Sequence, residues 1–185
     1  MTGRGLYALI FLINILFDLY TAAVILRFLL QWTRADFYNP LCQAIVKITN
    51  PLLLPLRRII PGWRGLDFAA VALTLLLQIV NIFLVMVIVV GFPRPIDLAW
   101  WTLLKILFLL VNLYFITILV EAVLSWTNTG SRNPMGALLW RINAPLLQPI
   151  RKLIPPLGGL DFSPLVVLIL LQFINILLPL QWPLR

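Results

Sequence analysis

The sequence predicts an all-α membrane protein: four transmembrane helices forming two parallel tandem repeats of two helices, with interfacial amphipathic helices in the two cytoplasmic loops. Three observations predict this fold: apolar runs of membrane-crossing length, an internal repeat, and an uneven distribution of Lys and Arg. Of the 185 residues, 62% are hydrophobic and 11% charged, with a mean hydropathy of +1.04. That leaves too little polar surface to cover a soluble domain. The apolar residues gather into runs at about 6–32, 66–90, 100–126 and 162–182, each reaching the roughly 20 residues that cross a hydrocarbon core.

The first run is read as a retained span. It is too long for the h-region of a cleaved leader, carries only Arg4 before it, and meets no small-x-small cleavage site. Cys42 is the single cysteine, so no internal disulfide is available and no redox compartment follows. Histidine is absent, which removes the commonest metal ligand and general base. No catalytic, metal-ligating or cofactor-binding pattern is expected.

A shift of 94 residues lays one half of the chain on the other without a gap. Trp32 falls on Trp126, Asn39-Pro40 on Asn133-Pro134, and Pro51, Pro55 and Arg57 on Pro145, Pro149 and Arg151. Further along, Gly65-Leu66-Asp67-Phe68 meets Gly159-Leu160-Asp161-Phe162, and Gln78 and Asn81 meet Gln172 and Asn175. Shared leucine content does not align such different residue types at one offset. The repeats divide at about 93/94. Each carries an even number of spans, so the copies insert with the same orientation and their pseudo-symmetry axis runs along the membrane normal.

The loops between paired spans hold Arg34, Lys47, Arg57, Arg58 and Arg64, then Arg132, Arg141, Arg151 and Lys152; the other side offers Arg4, Arg94 and Arg185. This bias places both long loops in the cytoplasm and both termini outside. In Leu41–Ile48 the apolar residues recur at helical spacing with Gln43 and Lys47 opposite, and Met135–Ile142 repeats the pattern. Both segments read as helices lying in the interface. The stretches Pro51–Pro61 and Pro145–Pro155 carry too much proline for one straight helix and read as kinked interfacial segments, with a re-entrant hairpin as the alternative. Arg57, Arg58, Arg151 and Lys152 are assigned to anionic headgroups. Nucleic acid is disfavoured, because these are isolated pairs without aromatic interleaving.

Polar residues inside the spans come next. Asp18 lies 14 residues from Trp32, roughly 21 Å deep at 1.5 Å per residue. Its repeat mate is Asn112. Together with Gln78, Asn81, Gln172 and Asn175 these form a polar layer near mid-bilayer, read first as interhelical hydrogen-bond glue and second as a pore or binding site. Arg27 and Glu121 occupy equivalent repeat positions with opposite charge, and the expectation is that they pair across the pseudo-twofold axis; the alternative is that Arg27 snorkels to headgroups while Glu121 pairs elsewhere. Asp67 and Asp161 read as helix N-caps rather than paired catalytic carboxylates. Lys105 is expected to snorkel toward the outer interface.

The doubled pattern of Trp, Asn-Pro, Pro-x3-Pro-x-Arg, Gly-Leu-Asp-Phe and Gln-x2-Asn resembles the YggT family, whose chloroplast relatives include Ycf19-like proteins. The resemblance covers nearly the whole chain. It implies a multi-pass protein of the bacterial inner membrane and supplies no established catalytic residues. Bacterial members are associated with osmotic stress and cell-division neighbourhoods, chloroplast members with cytochrome assembly and nucleoid organisation. Three functions then compete. A non-enzymatic scaffold or assembly factor, working among other membrane proteins, ranks first. A small ion or solute conduit ranks second and needs a homo-oligomer, since four spans enclose little. An intramembrane enzyme ranks last: Ser125 has no base beside it except Glu121 one turn back. The repeat symmetry breaks at 27 against 121 and at 18 against 112, and function is sought there first.

Overall fold

The computed structural model describes residues 3–35, 38–62, 65–126, 134–154 and 161–180. These form six helices: α1 (Gly3–Trp32), α2 (Pro40–Ile59), α3 (Phe68–Val89), α4 (Pro95–Trp126), α5 (Pro134–Leu153) and α6 (Ser163–Leu177). The order long–amphipathic–long occurs twice, as the repeat requires. By length and composition, α1, α3 and α4 are each able to cross a membrane.

The helix α6 is shorter than its repeat mate α3. Its 15 residues rise about 22 Å, below the ~30 Å of a hydrocarbon core. The cause lies in Pro179, whose ring disfavours helical backbone at the preceding residue; Leu178 is extended, at φ −67° and ψ 125°. Residues 181–182, the end of the fourth expected span, lie outside the described residues.

The C-terminal ends of α1 and α3 are closed by backbone geometry. After α1, Arg34 takes φ 51°, and Ala35 N–H reaches back to the Leu30 carbonyl at 2.9 Å. After α3, Gly91 takes φ 96° and its N–H bonds the Met86 carbonyl. These are left-handed C-terminal caps, for which glycine carries no Cβ penalty. A Cβ added at Gly91 meets nothing within 4 Å, so the cost of filling it is purely conformational. Gly91→Ala is therefore expected to lower stability by about 1 kcal/mol, read as a small drop in melting temperature of the purified protein.

The two proline-rich segments are helical up to Ile59 and Leu153. These stretches join the amphipathic segments as helix: α2 runs from Pro40 to Ile59 with Pro51 and Pro55 inside it. Its mate α5 does the same around Pro145 and Pro149. Each proline forfeits the backbone bond to the carbonyl four residues back, and α2 is also tied to the neighbouring long helix by side-chain bonds to other carbonyls. Arg27 Nη1 donates to the Val46 carbonyl at 3.2 Å, and Tyr20 Oη donates to the Ile48 carbonyl at 3.3 Å. At the start of α2, Asn39 accepts the Leu41 N–H at 2.9 Å and Pro40 occupies the first turn.

Within each repeat the two long helices pack together, α1 on α3 and α4 on α6, while α1 and α3 both touch α4. Each amphipathic helix packs against both helices of its own repeat. One apolar cluster joins the repeats near the α2/α5 end: Leu29, Leu30, Cys42 and Ile45 with Ile118, Leu138, Ile142 and Leu171. Toward the opposite end, Ile10, Ile82, Val85 and Leu180 form a second cluster. Large apolar side chains cover the outside, among them Phe11, Leu16 and Leu19. In a bilayer such surface has no drive to associate, because lipid tails are as apolar as leucine. Packing shape and polar contacts therefore decide which helices meet.

Candidate functional site

The polar residues gather into three groups, and the deepest joins the repeats. Lys105 on α4 is fully buried, and its ammonium lies 2.9 Å from the Asp18 carboxylate on α1. It also donates to Asn14 Oδ1 at 3.5 Å. Gln78 on α3 donates to Asp18 Oδ1 at 3.3 Å and to Thr21 Oγ1 at 2.9 Å. Three helices from both repeats thus converge on one carboxylate. Lys105 therefore does not snorkel to the interface, because an anionic partner within reach outweighs the run to headgroups. Sequence reasoning missed this pairing: the repeat mate of Lys105 is the apolar Phe11, so the internal comparison does not highlight it. The available signal was charge, since Asp18 and Lys105 are opposite ions inside spans of different repeats.

The second and third groups occupy equivalent places in the two repeats, at the α2/α5 end. In the first repeat, Arg27 is buried (4% exposed) and donates to Thr49 Oγ1 at 2.6 Å and Asn50 Oδ1 at 2.7 Å. Beside it, Arg57 binds Asp67 through Nε and Nη2, and Gln31 Oε1 at 3.1 Å. In the second repeat, Glu121 accepts from Asn143 Nδ2 at 2.7 Å and from Arg151 Nη2 at 3.3 Å. Arg151 also binds Asp161 at 2.8 Å, and Thr117 donates to Asn143 Oδ1 at 2.8 Å.

The expected Arg27–Glu121 pair is thus corrected: each residue finds its partners inside its own repeat. Equal depth along the bilayer normal does not bring two side chains together laterally, and each has a nearer amphipathic helix to bond. The sign change at this position is matched across the shift of 94. Where Arg27 meets the acceptors Thr49 and Asn50, Glu121 meets the donor amide of Asn143, the repeat mate of Thr49. One group contains two cations and one anion, of which Arg57 and Asp67 pair; in the other, one cation pairs with two anions. The sequence reading left out Thr49, Asn50 and Asn143; comparing 49 with 143 alongside 27 with 121 carries the signal.

The basic pairs split in two. Arg57 and Arg151 turn inward, tying α2 to α1 and to the start of α3, and α5 to α4 and to the start of α6. Their assignment to headgroups is corrected accordingly: carboxylates at a helix start are nearer and already oriented. Arg58 and Lys152 are exposed.

Asp67 caps α3, its Oδ1 accepting the Ala70 N–H at 3.3 Å. Asp161 sits one residue earlier relative to α6 and accepts the Ser163 N–H at 2.9 Å. Burial pushes the Asp161 carboxyl up, but the Arg151 hydrogen bond and the Ser163 N–H outweigh it, so its pKa lies below the usual carboxylate value. A depressed carboxylate stabilises the fold above its unfolded pKa and loses that contribution as pH falls through the folded one. The melting temperature is therefore expected to be flat near neutrality and to decline below about pH 4. In Asp161→Asn that decline becomes shallower.

In the polar layer, Asn112 and Asn175 exchange hydrogen bonds at 3.3 and 3.4 Å. Asn81 is buried. Gln172 is exposed, so it does not belong to the interior layer. The helical period alone does not distinguish it from Gln78, because α6 has fewer neighbours than α3.

Comparison with known proteins agrees with the internal repeat. The model of the CCB3/YggT family matches twice, over residues 6–88 and 100–182, so both ends of the second match lie 94 residues beyond those of the first. An uncharacterised protein of Pseudomonas aeruginosa is 43% identical over 174 residues, covering 92% of this chain and 87% of its own. The uncharacterised YggT of Escherichia coli K12 is 38% identical over 167 residues, covering 90% and 87%. An uncharacterised Vibrio alginolyticus protein is 43% identical over 173 residues, covering 91% of each. No solved structure matches. With two family matches in tandem and relatives this similar over most of their length, the chain belongs to the CCB3/YggT family.

Proposed function

We propose that this protein is a non-enzymatic scaffold or assembly factor of the bacterial inner membrane. Its amphipathic helices lie on the cytoplasmic side, α6 completes a fourth crossing, and both termini are outside. Other membrane proteins are the partners, and the exposed Arg58 and Lys152 meet anionic headgroups. One observation carries this reading. The deep polar group of Asp18, Gln78 and Lys105 is spent on joining helices, and apolar clusters lie on either side of it. Val24, Ala70 and Leu73 close it toward α2, and Ile10, Ile82 and Val85 close it at the other end. A polar layer between two apolar layers suits a lock better than a path for ions.

The alternative, an oligomeric conduit linked to osmotic balance, is separated by reconstitution. Liposomes carrying the purified protein are expected to show no ion or osmolyte flux. Flux that disappears in Asp18→Asn, with folding intact, overturns the scaffold reading. In-membrane crosslinking of the full chain then identifies what the scaffold holds.

A further inference from the structure

We propose that the junction of α1, α3 and α4 is a water-binding site, with ordered water held by Asn81, Thr102 and Gln78 beside the Asp18–Lys105 pair. Asn81 is fully buried, yet neither its amide nitrogen nor its oxygen bonds any protein group. The same is true of Gln78 Oε1 and of Thr102 Oγ1, itself 2% exposed. Leaving buried polar atoms unpaired costs about 1–3 kcal/mol each, and several at one junction are seldom left so.

Their positions coincide along the membrane normal. Asn81 lies one turn beyond Gln78 on α3, Thr102 one turn before Lys105 on α4, and Asn14 one turn before Asp18 on α1. Because α3 runs opposite to α1 and α4, all three are displaced from the ion pair in the same direction, away from α2. Residues three or four apart share a helix face, so this second polar layer faces the same junction.

The second repeat explains why Asn81 is left without a protein partner. There the equivalents of Asp18 and Asn81, namely Asn112 and Asn175, bond each other. In the first repeat Asp18 is drawn away by Lys105 and Gln78, and the amide it would have satisfied is freed.

The ligand class follows from the mixture of unpaired groups. Asn81 Nδ2 donates, Gln78 Oε1 and Asn81 Oδ1 accept, and Thr102 does either. Water serves donors and acceptors together, with about three bonds per molecule. A metal cation serves acceptors alone and is repelled by the Lys105 ammonium. The flanking apolar clusters make the site an enclosed one rather than a segment of a channel.

A crystal structure of the full chain grown from lipid, at a resolution that places solvent, tests this. Expected is solvent density at about 2.7–3.2 Å from the Asn81 amide and from Thr102 Oγ1 or Gln78 Oε1. Asn81 turned onto Asp18 with no such density overturns the proposal. So does density ringed by oxygens alone at about 2.3–2.6 Å, which is a metal cation. A second measurement reads the same question by sign. Asn81→Leu strips partners from bound water and is expected to lower the melting temperature by roughly 3–6 °C. A dry junction predicts a rise, which overturns the proposal; Thr102→Val gives the same sign test on the facing helix.

Discussion

Lys105→Met is expected to destabilise the purified protein by about 3–5 kcal/mol, the largest effect of any single substitution among the described polar residues. The ammonium is fully buried, and its removal leaves the Asp18 carboxylate in the membrane interior with only Gln78 as a polar partner. Asp18→Asn alone removes the counter-charge of the buried ammonium, which keeps Asn14 Oδ1 as an acceptor. The double variant removes both charges together, and replacing a buried pair by neutral groups of similar volume is often close to neutral. It is therefore expected to recover most of the stability lost by either single change. Thermal unfolding in one detergent, with yield of folded protein as a second readout, checks the three variants.

Arg151→Met is expected to follow, at about 2–4 kcal/mol. One guanidinium there neutralises two carboxylates, Glu121 and Asp161, and joins α5 to α4 and to the start of α6. The figure sits below that for Lys105 because Arg151 is 29% and Asp161 33% exposed, where water screens the charges left behind. Arg57→Met in the first repeat strands one carboxylate, Asp67, but a more buried one at 2% exposed, and should cost a comparable amount. A negligible loss at either arginine contradicts this reading.

The architecture was legible because it rests on signals that survive without three-dimensional context. Apolar runs report membrane-crossing length, and the shift of 94 residues reports a duplicated unit. The helix start at Asp67 was legible, where a capping residue stands in sequence, while α6 begins one residue later relative to Asp161, with Phe162 at its N-cap. Continuity of α2 through Pro51 and Pro55 was not, because helix propensity disfavours interior proline while the packing of α2 on α1 and α3 is tertiary. The true inter-repeat pair was hidden for a related reason. Symmetry compares residues with their copies, and Asp18 meets not a copy but Lys105, which replaces a phenylalanine. Depth along the normal, which sequence yields, set Arg27 level with Glu121; lateral neighbourhood, which it does not yield, separated them. Of the two departures from symmetry, the one at 18 and 112 holds the repeats together. The one at 27 and 121 is absorbed within each repeat.

The central claim, that Asp18 and Lys105 lock the two repeats, is tested most directly by comparing two double-mutant cycles in the full chain. The cycle of Asp18→Asn with Lys105→Met should give a coupling energy of at least about 2 kcal/mol. The cycle of Arg27→Met with Glu121→Gln should be additive to within about 0.5 kcal/mol. Additivity in the first cycle, or strong coupling in the second, contradicts the account.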